Sequence, residues 1–217
     1  MEKTEYLKVG GHGQDIQLPQ GVIRSTQEFK YLGSIISAQG NSAKDIQYRI
    51  IQGKRCTQVL NPIIWSAKMK MKTKLMIYKA IVEPVLTYGA ESWQLTNKQR
   101  KQIEVVEMDY LRRSCRVSKL EHIRNEEIRR RSGMEITVNN RIDTRQLIWY
   151  GHVMRMVKER WPRRVLNYTP CGNRRRGRPA TTWFQGIAES MRSREIKEDE
   201  WMDRKGWRIK CGKRPRL

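Results

Sequence analysis

Residues 71–82 read MKTKLMIYKAIV. Within them Met71, Leu75, Tyr78 and Val82 recur at i, i+4, i+7 and i+11, which places apolar side chains along one face of a helix. Pro84 then bends or stops that helix, because it has no backbone N–H and its ring meets the preceding turn. Working upstream, Ile46 and Ile50 lie one turn apart on a helix predicted from Ser42 to Leu60, interrupted by Asn61-Pro62. Working downstream, Thr96-Asn97-Lys98-Gln99 has the form of a capping box and opens a helix with Ile103, Val106, Tyr110 and Leu111 on one face. Asn125 reads as the next cap, with Glu126 and Glu127 in the first turn and Gly133 as the stop. A fifth helix, from about Val138 to Val157, is predicted to bury Ile142, Trp149, Val153 and Met156. Thr182 starts a short helix with Trp183, Ile187 and Met191 at i, i+4 and i+8, and Trp201 and Trp207 belong to a last helical piece.

Residues 1–41 read differently. Short extended pieces at Thr4–Val9, Asp15–Leu18, Glu28–Leu32 and Ser34–Ser37 are separated by glycine and proline turns. Such fragments do not make a large independent sheet and suit the rim of something larger. Residues 160–180 hold seven arginines, no acid, and a scatter of Pro and Gly, the composition of a basic linker. The expected fold class is therefore mainly α: a small N-terminal β-hairpin region, a helical bundle, and a second small helical C-terminal domain.

Charge bounds the function. The chain carries 45 Lys+Arg against 22 Asp+Glu, a formal net charge of +23. The excess is spread, +10 over residues 1–140 and +13 over residues 141–217. So large a surplus repels itself unless a polyanion neutralises it, and the spread favours a long polyanion, nucleic acid, over a local patch on a membrane. No stretch has the length and apolarity of a transmembrane span, and the N-terminus lacks the apolar core of a secretory signal. An intracellular location, nuclear or cytoplasmic, is expected. Cys56, Cys115, Cys171 and Cys211 show no paired metal-ligand spacing and read as scattered free thiols. Neither a metal nor a cofactor is expected.

Nucleotidyl transfer needs paired carboxylates to hold two metal ions, and the sequence contains no Asp-Asp pair. The cluster Glu198-Asp199-Glu200 reads as a solvated helix start, and no catalytic residue is assigned.

A resemblance rests on an ordered series of short motifs. It begins with Phe29-Lys30-Tyr31-Leu32-Gly33-Ser34 and continues through Asp45-Ile46, Arg49-Ile50, Ile64-Trp65, Lys74, Tyr78 and Tyr88-Gly89-Ala90-Glu91-Ser92-Trp93. Leu111-Arg112-Arg113, Asn125-Glu126-Glu127-Ile128, Trp149-Tyr150-Gly151-His152-Val153-Met154-Arg155-Met156, Arg176-Gly177-Arg178-Pro179 and Thr182-Trp183 follow. The series spans nearly the whole chain. Each motif alone is weak, and their order and spacing carry the likeness. It resembles the C-terminal part of the endonuclease–reverse transcriptase of LINE (non-LTR) retrotransposons, most like the RTE-type clade. That resemblance implies a palm remnant and primer-grip strands over residues 1–41 and a thumb-like helical bundle over 42–117. It further implies a helical extension over 118–159, the basic linker over 160–180, and a C-terminal helical segment over 181–217.

The family activity is RNA-directed DNA polymerase, with the catalytic acids expected in a palm outside this chain. The resemblance implies template–primer binding, to RNA, DNA or hybrid duplex, and the palm, fingers and endonuclease domains as partners. Tyr31, Leu32 and Gly33 match the primer grip, although Tyr31 reads equally well as a core residue at a strand end. Lys44, Arg49, Lys54 and Arg55 on the first thumb helix are expected to face phosphates, and Arg163, Arg164, Arg174, Arg175, Arg176 and Arg178 form the basic arm. Arg176-Gly177-Arg178-Pro179 also matches the core of an AT-hook. Tyr78, Trp65 and Trp93 are expected in the core, and His152 is expected to be buried and hydrogen-bonded. The alternative reading is a stand-alone RNA- or DNA-binding protein derived from a transposon. An unrelated enzyme needs a cluster of carboxylates or thiols that the sequence does not display.

Overall fold

The computed structural model describes residues 4–10, 13–168 and 182–213. The chain is mainly helical after a small N-terminal sheet region, as the sequence predicts. It divides into two compact units: residues 1–89 with 97–133, and residues 90–96 with 134–217.

The first unit begins with strands β1 (Glu5–Tyr6), β2 (Ile16–Leu18) and β3 (Gly21–Ser25), followed by the hairpin β4 (Glu28–Tyr31) and β5 (Ser34–Ser37). β3 lies between β1, to which it is parallel, and β2, to which it is antiparallel. The sequence reading missed β3, the central strand of this sheet. In the hairpin Tyr31 faces Ser34, so only Leu32 and Gly33 form the turn. Both have positive φ, +46° and +86°, the pattern that matches the twist of a two-residue hairpin. Glycine adopts that backbone freely, whereas Leu32 is held there at a steric cost.

The helical part packs α1 (Ala43–Val59) against α4 (Glu83–Leu86) and α5 (Asn97–Ser114). α2 (Asn61–Ile64) follows α1, with Pro62 in its first turn, where a missing N–H costs little. α3 (Met71–Ile77) runs into α4 through a π-helical turn at Tyr78–Val82, in which the Glu83 N–H reaches back five residues to the Tyr78 carbonyl. Pro84 accounts for the widened turn: it donates no hydrogen bond and crowds the preceding carbonyls. The expected bend or stop is thus a π-turn within a continuing helix. Of the predicted stripe, Tyr78 and Val82 are fully buried and Met71 and Leu75 half-buried, with Lys74 taking the buried position between them. The predicted face of α5 is buried as expected.

α6 (Asn125–Ser132) ends at Gly133 as predicted. Its cap position is Arg124, however, and the Asn125 side chain instead accepts from Arg112. α6 is tied to α5 by Arg129, which bonds Glu104 at 3.0 Å and the fully buried Glu107 at 2.8 Å. Tyr78 donates to Glu107 at 3.3 Å, so the buried carboxylate is shared by two donors from different helices.

The second unit is built around α7 (Val138–Met154), which is capped by Thr137. α8 (Trp161–Leu166), α9 (Trp183–Arg192) and α10 (Arg204–Cys211) pack against it. Thr182 and Gln185 form the capping box of α9. The core holds Leu147, Tyr150, Ile187, Met191, Ile196, Trp207 and Cys211. Trp207 is 1% exposed, donates to the Leu147 carbonyl at 2.9 Å, and lies flat against Gly151, where a Cβ would come within 2.4 Å of its indole nitrogen. The segment 90–96 is bound to α7 by Gln146, whose amide donates to the carbonyls of Ala90 and Trp93.

Several expectations are corrected here. Trp149 is partly exposed rather than core, Met156 is only half-buried, and Trp65 of the first unit is 44% exposed. His152 is exposed, not buried, and its ring lies 5.5 Å from that of Trp149. Residues 161–166 of the expected linker are helical, because Pro162 stands in the first turn of α8 where it favours a helix rather than breaking one. Trp93 and Tyr78 are core residues, as expected.

Candidate nucleic-acid interface

The hairpin turn of the first unit is gripped from below. Asp45 of α1, itself buried, accepts the Ile35 N–H at 3.0 Å. One turn on, Arg49 donates to the Gly33 carbonyl and lies 4.3 Å over the Tyr88 ring. Tyr88 in turn donates to the Leu32 carbonyl at 2.7 Å. Both turn residues are therefore held through their carbonyl oxygens, which leaves the Leu32 side chain outward. Tyr31 is 58% and Leu32 75% exposed, so Tyr31 is not a core residue. Tyr31, Leu32 and Gly33 form a firmly seated, solvent-facing tip.

Arg49 itself is buried and committed to this clamp together with Asp45. It does not reach solvent as a phosphate contact does. Lys44 is ion-paired with Glu28. Lys54 and Arg55 are exposed on α1, with no acid on the exposed part of that helix.

The basic run extends further than the sequence reading took it. Between residues 43 and 82 stand Lys44, Arg49, Lys54, Arg55, Lys68, Lys70, Lys72, Lys74 and Lys79, against one acid, Asp45, which is buried. Lys68, Lys70, Lys72 and Lys79 are exposed, and they make no ion pair among the described residues. Lys68-Met69-Lys70-Met71-Lys72 carried the signal in the sequence: alternating lysines at a helix entry, with no acid for a long way on either side. Lys74 differs from its neighbours. It is buried and donates to the Ser114 carbonyl at the end of α5 at 2.9 Å. Burial lowers its pKa, and the Arg116 guanidinium lowers it further. Beside it Tyr110 donates to the Lys74 carbonyl at 2.7 Å, and burial pushes that phenol up to about 12. These two residues hold α3 to α5.

In the second unit Arg163 contacts the Met154 sulfur and lies 5.7 Å over Trp201. Arg164 is exposed and lies 4.5 Å over Trp161. Arg174, Arg175, Arg176 and Arg178 fall outside the described residues, as does Cys171. Cys56, Cys115 and Cys211 are free thiols, and burial pushes that of Cys211 up to about 12. Among the described residues no group of three His, Cys, Asp or Glu side chains is placed to hold a metal ion. No helix among them is long and apolar enough to cross a membrane.

No protein-family profile matches the chain, and no solved structure matches it. The chain is similar to an uncharacterized transposon-derived protein of Caenorhabditis elegans, 24% identical over 198 residues that cover 83% of this chain and 68% of the relative.

Proposed function

We propose that this chain is transposon-derived and is the thumb and C-terminal region of a LINE-type reverse transcriptase, which grips template–primer duplex without carrying the polymerase's catalytic acids. The similarity to a transposon-derived protein supports the origin. The observation that carries the binding is the run of exposed, unpaired basic side chains Lys54, Arg55, Lys68, Lys70, Lys72 and Lys79, with no exposed acid among them. Exposed cations without carboxylate partners are free to neutralise phosphates, and such contacts hold a duplex by its backbone without reading its sequence. The seated tip at Tyr31, Leu32 and Gly33 supplies the primer-grip element of this reading. Ile16, Leu18, Val22, Phe29 and Ile36 leave apolar surface exposed on the N-terminal strands, which suits a covering palm domain.

The test is duplex binding by the purified chain and by a variant carrying Lys54→Ala, Arg55→Ala, Lys68→Ala and Lys70→Ala. The variant is expected to fold, since all four side chains are exposed. It should lose at least about tenfold in affinity, with a shallower salt dependence. Unchanged affinity removes this run from the interface and the reading with it.

A further inference from the structure

In the second unit, Trp149, Val153, Trp161, Val165 and Trp183 line an open groove of about 350 Å³, with Ser92 at one side. Its aromatic walls are fixed in different ways. Trp183 donates its indole N–H to the Glu91 carbonyl at 2.9 Å and packs 6.4 Å from the Tyr150 ring. Trp149 rides on α7 beside His152. Trp161 stands 70% exposed at the start of α8, and Val165, one turn on, is 67% exposed. Large apolar side chains standing open side by side are costly in water unless something covers them.

The charge around the groove identifies the cover. Lys158, Arg160 and Arg164 are exposed beside Trp161, and the Arg164 guanidinium lies over the Trp161 ring. Over the described residues 155–168 stand five basic residues, Arg155, Lys158, Arg160, Arg163 and Arg164, against one acid, Glu159. An apolar peptide gives no use for such a rim. Unpaired nucleotides use both features, since bases offer flat faces to tryptophan and their phosphates fall to the arginines. A duplex offers no such faces, because its bases are already stacked on one another.

We infer that this groove binds single-stranded nucleic acid by stacking unpaired bases on Trp161 and Trp149, with Arg160 and Arg164 on the flanking phosphates. The site lies in a different unit from the duplex grip and does not depend on it.

The test uses the full chain at about 150 mM salt, where exposed charge–charge steering is largely screened. Anisotropy compares a fluorescent oligothymidylate with an abasic oligomer of the same length, which keeps the phosphates and lacks the bases. The oligothymidylate should bind roughly tenfold tighter or more. Trp161→Ala should bring that ratio towards one, Trp161→Phe should keep most of it, and Trp65→Ala, in the other unit, should leave it alone. Val165→Glu, which sets a negative charge at the rim, should weaken binding of the oligothymidylate itself, and circular dichroism checks that each variant folds. Equal binding of the two oligomers by the unmodified chain overturns the inference, and so does a ratio that Trp161→Ala leaves intact. Duplex binding and its salt dependence, followed on the same preparation, report on the thumb reading separately.

Discussion

Arg49 donates to the Gly33 carbonyl, lies over the Tyr88 ring and faces Asp45, so its guanidinium acts within the fold. Arg49→Ala removes a charge-assisted hydrogen bond and takes a guanidinium away from the buried Asp45. It should destabilise the first unit by about 2–4 kcal/mol, read by urea denaturation. A loss below about 0.5 kcal/mol, the range of ordinary surface substitutions, would show that the clamp is not what seats the hairpin. Nothing in the sequence distinguished Arg49 from Lys54 or Arg55, because all three lie on one helix. The difference comes from Gly33 and Tyr88, which are distant in sequence. Lys74 is hidden for the same reason. It is buried, and its ammonium reaches the Ser114 carbonyl, a partner 40 residues away.

Helices were legible where a buried face repeats within a single stretch. α5 and α9 follow the predicted apolar positions closely, and α1 falls within one residue of its predicted ends. What escaped depends on context. β3 has no strong alternation of its own and is a strand only because β1 and β2 flank it. α8 was concealed by Pro162, which breaks a helix interior but suits a first turn. α7 buries Ile142 and Val153 of its expected face but not Trp149 or Met156, and it takes Trp207 of α10 against its backbone instead. Gly151 makes that packing possible: its missing side chain is the notch that Trp207 fills. Gly151→Ala drives a methyl group into the indole and should cost about 1–3 kcal/mol in thermal or denaturant unfolding of the second unit, with the Trp207 fluorescence perturbed. A variant of unchanged stability would mean that α7 and α10 separate without strain.

The surplus of +23 was plain in the composition, and the structure refines where it sits. Part of it is consumed internally: Arg49, Lys74, Arg112, Arg113 and Arg129 each hold one element to another. Another part is exposed on the run from Lys54 to Lys79 and beside the tryptophan groove at Lys158, Arg160 and Arg164, and in the proposed reading the first faces duplex and the second an unpaired strand. In that reading phosphate neutralisation dominates duplex binding. The direct measurement is the affinity of the full chain for a short RNA–DNA hybrid duplex between roughly 50 and 200 mM salt. Neutralising about four phosphates predicts a linear fall of log K with log salt and a loss of about 100-fold over that range. A change smaller than about twofold would contradict it, because contacts that release no counterions are not contacts to phosphate.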